Sequence, residues 1–120
     1  MKPETGTITS NVAELIALEH LYQFVAMPGM NLDENERPVL RRFINSITEQ
    51  RREAVETFGK GNTEAPVEIT ANDDELYVLS YFLYYRDEYQ TELGEETMDH
   101  LGTIEESMRV EMERRDEVNR

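Results

Sequence analysis

Cysteine is absent from this chain, which excludes disulfides, thiolate metal centres and cysteine nucleophiles. Tryptophan is missing too, and imidazole chemistry has only His20 and His100 to draw on. Lysine is almost missing: Lys2 and Lys60 stand against ten arginines. No apolar run approaches the roughly 20 residues that span a bilayer, and the opening Met1-Lys2-Pro3-Glu4 lacks the apolar stretch of a signal peptide. The expectation from these absences is a cytoplasmic chain that does not enter a membrane.

Positive charge is the scarcer sign overall, with 12 basic residues against 26 acidic ones and a net charge of −14. Such a surface repels phosphate backbones and anionic lipid, so direct nucleic-acid or membrane binding is not expected. Abundant glutamate with little lysine also suits a protein adapted to concentrated salt, where screening removes self-repulsion. An ordinary acidic helical protein fits the same balance.

At 120 residues the chain has room for one domain and one hydrophobic core. The pattern predicts an all-α, four-helix bundle-like domain over residues 1–120, with no internal repeat. Residues 1–9 read as a loose terminus, and Ser10 as the cap of a first helix running from about Asn11 to Ala26 and stopped near Pro28-Gly29. A connector over Met30–Glu34 leads to Asn35, which reads as the cap of a second helix ending at Phe58 and Gly59. Its apolar stripe is Val39, Leu40, Phe43, Ile44, Ile47, Ala54, Val55 and Phe58. Residues 59–71 form a long loop with one alternating piece, Val67-Glu68-Ile69-Thr70, expected to lie extended across the bundle or to form a minimal strand. Asn72-Asp73-Asp74-Glu75 is a capping box, and the third helix runs from it to Leu93, stopped by Gly94. A fourth helix carries Met98, Leu101, Ile104, Met108 and Met112 on one stripe, with residues 115–120 fraying.

The third helix carries the most information. Tyr77, Tyr81, Tyr85 and Tyr89 recur every four residues and Tyr84 joins them, while Leu76, Leu79, Phe82 and Leu83 cover most of the remainder. The first helix, with Leu18, Leu21 and Phe24, is also apolar on more than one face. Helices of this kind are buried on several sides or shared between chains. Tyrosine has an apolar ring and a polar tip, which suits a core margin or an interface. Tyr77, Tyr81, Tyr84, Tyr85, Tyr89, Leu18, Leu21 and Phe24 are therefore the candidate interface residues. Base stacking is excluded, because the neighbours of the rings are Asp73, Asp74, Asp87 and Glu88. Arg37, Arg41, Arg42, Arg51 and Arg52 on the second helix are expected to face carboxylates of the third and fourth helices, within the chain or across a dimer, with part of the charge pairing locally between Arg52 and Glu49 or Glu56.

Metal and catalytic signatures are thin. Neither histidine completes the Glu-x-x-His motif of di-metal bundles, since Ala17 and Thr97 stand three residues before them. Glu96 and His100 are one turn apart and make half a site. Glu53-x-x-Glu56 and Glu96-x-x-Asp99 resemble, in residue type alone, the paired acids with which MazG-type nucleotide pyrophosphohydrolases hold magnesium. That resemblance implies Glu53, Glu56, Glu96 and Asp99 as metal candidates, to which the one-turn spacing adds His100, but the stretch between the pairs is longer than in that family. No cofactor and no catalytic residue is assigned. The favoured expectation is a non-enzymatic interaction protein that associates with itself or with another protein through helix–helix contacts. The alternatives are a magnesium-dependent nucleotide hydrolase and an acidic nucleic-acid mimic that occupies a DNA-binding protein.

Overall fold

A computed structural model describes residues 5–25 and 34–118, with side chains over 6–24 and 34–115. The expected helix stop at Pro28-Gly29 and most of the connector lie outside the described residues. Thr5–Asn11 is a strand, β1, that runs directly into helix α1, Val12–Val25. Helix α2 spans Glu36–Phe58, strand β2 Pro66–Asn72, and helix α3 Asp73–Tyr84. The chain then tightens into a 3-10 turn over Tyr85–Tyr89, adds the four-residue α4, Gln90–Leu93, and finishes the described part with α5, Glu95–Val118. The fold is mostly helical. It also contains an antiparallel two-stranded sheet that the four-helix expectation did not include.

The sheet settles two segments at once. Residues 5–9 were expected to be loose, and within the 59–71 loop Val67–Thr70 to be extended or a minimal strand; the strand alternative holds, residues 5–11 pair with it, and the true loop shortens to residues 59–65. Threonine and isoleucine dominate β1, and β-branched side chains fit a pleated, half-buried surface. Gly6, Ile8 and Ser10 face inward while Thr7 and Thr9 are exposed; in β2, Ile69 and Ala71 face inward while Glu68 and Thr70 are exposed. Ser10 is therefore a strand residue, its hydroxyl donating to the Val67 carbonyl at 2.8 Å. The cap moves one position on: Asn11 Oδ1 accepts from the Glu14 amide at 2.9 Å. At α3 the expected capping box is present in full. Asn35 supplies no side-chain cap to α2.

A repeat that sequence inspection missed becomes visible here. Each half of the described chain is a strand, a helix starting at an asparagine cap, and a long second helix. Ile8-Thr9-Ser10-Asn11 and Ile69-Thr70-Ala71-Asn72 are 61 positions apart. The same offset relates Glu14 to Glu75, Leu15 to Leu76 and Leu18 to Leu79. In the second helices it relates Leu40 to Leu101, Phe43 to Ile104 and Ile47 to Met108, all six buried. The strand register obeys the same rule, because Ile8 pairs with Ile69, its own equivalent. A two-fold axis relating the halves would pass between those two residues.

One main core fills the space between the halves. It takes Leu15, Leu18 and Leu21 from α1, Phe43 and Ile47 from α2, and Leu79 and Phe82 from α3, together with Leu101 and Ile104 from α5. Fully burying a side chain of this size contributes about 1.5–3 kcal/mol. α1 packs on β1, α2 and α5, and α3 on β2, α2 and α5. Each is thus surrounded on several sides by its own chain, and most of the apolar surface expected to need a second molecule is enclosed. The α2 stripe forms as expected, except that Phe58 is half exposed. On α5 the buried line runs from Leu101, Ile104 and Met108 on to Glu111 and Arg115, leaving Met112 outside. α5 continues through Val118, and Arg115, where fraying was expected to begin, is 3% exposed.

Arg115 ties the end of α5 to the sheet. It donates to the carbonyl of Ala71, pairs with Asp73 at 2.5 Å and meets Glu111 at 3.2 Å. Glu111 is also held by Arg114 at 2.7 Å, and these guanidinium bonds keep its carboxyl below the usual carboxylate range. The pair sits over Gly6, where an added Cβ would lie 1.7 Å from Glu111 Oε1 and 2.5 Å from an Arg115 nitrogen. In the other half the equivalents are Val67, Gln50 and Ala54: the larger residue is on the strand and the smaller one on the helix. Ala54 and Val67 accordingly pack together with Val12 and Ala65.

This exchange of sizes yields a prediction. Gly6→Val alone should destabilise by about 1–3 kcal/mol through overpacking, and Arg115→Ala alone by about 3–5 kcal/mol through loss of a buried ionic network. Adding Glu111→Gln to both copies the other half, so the triple variant should cost less than the sum of its parts by more than about 1 kcal/mol. Independent sites would add within about 0.5 kcal/mol. Urea unfolding of the single and combined variants measures the difference.

Candidate functional site

The tyrosine band divides into an outer and an inner part. Tyr77 and Tyr84, seven residues apart and so on one side of α3, are 58% and 78% exposed. Tyr81, Tyr85 and Tyr89 are half-buried against the core. Tyr85 meets Tyr81 at 6.1 Å and Tyr84 edge-on at 6.3 Å. Tyr89 stacks on Phe24 of α1 at 5.4 Å, so these two rings satisfy one another within the chain. Leu18 and Leu21 are fully enclosed and are core residues, which corrects their place among the interface candidates. Their burial follows from the position of α1 against β1, α2 and α5 at once.

Acids flank the exposed rings. Asp73 and Asp74 lie one turn before Tyr77, and Asp87 and Glu88 one turn after Tyr84, all exposed. The helix was expected to continue smoothly to Leu93. Instead it tightens at Tyr85, where Arg86 turns to Glu105 of α5 with bonds of 2.6 and 2.9 Å. That guanidinium holds the Glu105 carboxyl below the usual carboxylate range. Arg86 is thus committed to α5, and the outer face of α3 is left with rings and carboxylates.

The arginines of α2 follow the expectation in part: the local Glu49–Arg52 pair forms, but Arg51 turns to α1. Arg51 bonds Glu19 of α1 at 2.5 and 3.1 Å, and Arg52 pairs with Glu49 of its own helix at 3.0 Å. Glu53 and Glu56 are exposed on the last turns of α2, and Glu96 and Asp99 are exposed on the first turns of α5. Among the described residues, no three histidine or acidic side chains gather in a way that could hold a metal ion. The paired acids of the resemblance are therefore not brought together as a metal centre. His100 lies 3.8 Å from Glu96, as their one-turn spacing implies.

Both histidines open into one cleft between α1 and the start of α5, beneath Thr63 and Glu64. Glu14, near the start of α1, is 5% exposed, and its Oε1 has no hydrogen-bond partner among the described residues. Burial pushes the Glu14 carboxyl up, and the nearby His100 pulls it partly back. Its equivalent, Glu75, closes a capping box by accepting from the Asn72 amide at 3.0 Å. Sequence reading passed over Glu14 because an acid at the third helical position looks like an ordinary cap. The signal that could have found it is the repeat, which sets one capped glutamate beside one with an orphaned oxygen.

No family model matches the chain, and no characterised protein or solved structure pairs with it. Among the described residues, no helix is long and apolar enough to cross a membrane.

Glu14 gives a signed pH prediction. An acid whose folded pKa lies above its unfolded value lowers stability once pH exceeds the unfolded value, and the loss is complete above the folded value. Glu14→Met, which also removes the orphaned oxygen, should stabilise the chain by about 1–3 kcal/mol at neutral pH. The gain should shrink as pH falls toward the ordinary carboxylate range. Chemical denaturation at a series of pH values measures both the sign and the trend.

Proposed function

We propose that this chain is a non-catalytic interaction protein whose docking face is the outer side of α3. The observation that carries the reading is the exposure of Tyr84 and Tyr77, 78% and 58%, on a helix whose other sides are core. Large exposed rings set on a rigid helix are suited to partner recognition, because they add contact area with few rotatable bonds to freeze. The flanking Asp74, Asp87 and Glu88 select the sign of the partner. Two copies meeting through this face would set like charges against one another, which costs several kcal/mol. A different protein with basic groups around an apolar patch suits the face better. The acidic half of the chain then steers the encounter, in keeping with the mimic reading, while the rings hold the complex.

Tyr77→Ser with Tyr84→Ser leaves the core untouched and should keep the far-ultraviolet circular dichroism of the parent. Each ring should be worth about 2 kcal/mol in binding, roughly 30-fold in affinity. Parallel affinity capture from the native host with parent and double variant tests this directly. A protein held by the parent and lost by the variant supports the reading, whereas identical capture profiles contradict it. Light scattering at micromolar concentration separates the other occupant: a dimeric mass that the variant abolishes assigns the face to a second copy.

A further inference from the structure

The two strands are equivalents in the repeat, yet their outer edges differ. Pro66, Glu68, Thr70 and Asn72 of β2 correspond to Thr5, Thr7, Thr9 and Asn11 of β1. Along an antiparallel ladder the residues alternate, one exchanging its backbone bonds with the partner strand and the next turning them away. The Val12 amide donates to the Ala65 carbonyl at 3.3 Å, one step beyond the Asn11–Pro66 pair. Even-numbered residues of β1 therefore bond to β2, and the backbone groups of Thr5, Thr7 and Thr9 point outward. Pro66, which has no N–H to give, stands opposite Asn11 in keeping with that alternation.

The outward row of β2 is closed at both ends. Pro66 lacks the donor, and the Asn72 amide is taken by the Glu75 carboxylate at 3.0 Å. The row on β1 has no proline and no charge, and Thr7 and Thr9 are exposed. Among the described residues the sheet has two strands, and no backbone bond outside the ladder reaches Thr7 or Thr9. Native proteins blunt their sheet edges with proline, charge or a covering element, so an edge without these devices is a template for pairing. Donors and acceptors in such a row match the backbone of an extended chain. Glu68 is the one charged side chain in either strand, and it is exposed opposite Thr9. Together with the net charge of −14 it favours a basic occupant. A second copy fits less well: it brings the same net charge, and a strand edge is a small part of the roughly 1,200 Å² that stable interfaces between folded chains bury.

We propose that the outer edge of β1 accepts an extended, basic segment of another protein as a third strand of the sheet. Backbone groups of Thr7 and Thr9 hold the segment, and a lysine or arginine set beside Thr9 reaches across it toward Glu68. This site is separate from the outer face of α3 and stands whether or not that face docks a partner.

The test titrates the full chain with a short capped peptide of alternating threonine and valine that ends in lysine on both sides, following the backbone amides by NMR. Saturable shifts at Thr7 and Thr9 are expected, with slower hydrogen exchange of those amides in the bound form. The same peptide with glutamate in place of lysine should bind about tenfold more weakly. Thr7→Pro removes the central outward donor without taking a bond from β2, so circular dichroism should hold while binding is lost. Glu68→Lys lies on the other strand and is exposed, so it keeps the ladder and should reverse the preference between the two peptides. Thr7 and Thr9 amides already slow to exchange in the free chain, shifts that never saturate, or binding unchanged in both variants would overturn the proposal. A doubled mass in light scattering that Thr7→Pro abolishes would also overturn it, by giving the edge to a second copy.

Discussion

The pairing of β1 with β2 is the constraint on which the rest of the structure depends. It fixes residues near the start of the chain against residues near its middle, and it does so in a register that sets Ile8 on Ile69. Each strand then runs without a break into a capped helix, so the register also fixes where α1 and α3 begin and which faces they turn inward. Slipping a strand by one residue would bring Thr7 or Thr70 into the core and push Ile8 or Ile69 out. Two isolated strands are marginal in water. Here the four longer helices hold the sheet by packing against it and against one another, which is what the buried Leu15, Leu76, Leu101 and Leu40 accomplish.

The same pairing explains how two strongly apolar helices are largely enclosed by their own chain. A simple bundle offers a helix one core face, whereas here each of α1 and α3 meets a strand and both long helices. What remains outside is selective: Tyr77 and Tyr84 on α3, and Ile16 at the equivalent position of Tyr77 on α1. The repeat thus presents corresponding outer faces with different chemistry, aromatic on one half and, through Ile16, His20 and Gln23, mixed on the other. The halves share a frame and differ where they meet solvent.

Much of the frame was legible in the sequence, because periodicity and turn chemistry are local. The α2 stripe, the capping box at Asn72, and the stops at Gly59 and Gly94 each follow from residues within a few positions of one another. The glycines hold φ of +93° and +86°, which side-chain-bearing residues rarely adopt. β1 was not legible, since a threonine-rich segment with a single isoleucine becomes a strand only when its partner 61 residues away supplies the hydrogen bonds. The repeat escaped notice for a related reason: its identical residues are few, and its most telling substitutions are paired, as Gly6 with Arg115 against Val67 with Ala54. At the candidate sites, the tyrosine spacing marked the correct helix but could not separate outward Tyr77 and Tyr84 from the rings that Phe24 and the core absorb. The burial of Glu14 was invisible, because it depends on packing between segments distant in the chain.

The most direct check on the central claim is amide hydrogen exchange of the intact chain, read residue by residue. Interstrand pairing predicts that alternate amides of Thr5–Asn11 are protected, and that they open together with those of Pro66–Asn72 and the core of α1 as one cooperative unit. Exchange of residues 5–11 at the rate of an unstructured peptide, with the helices still protected, would contradict the account. The register and the two-fold repeat would then lose their common support.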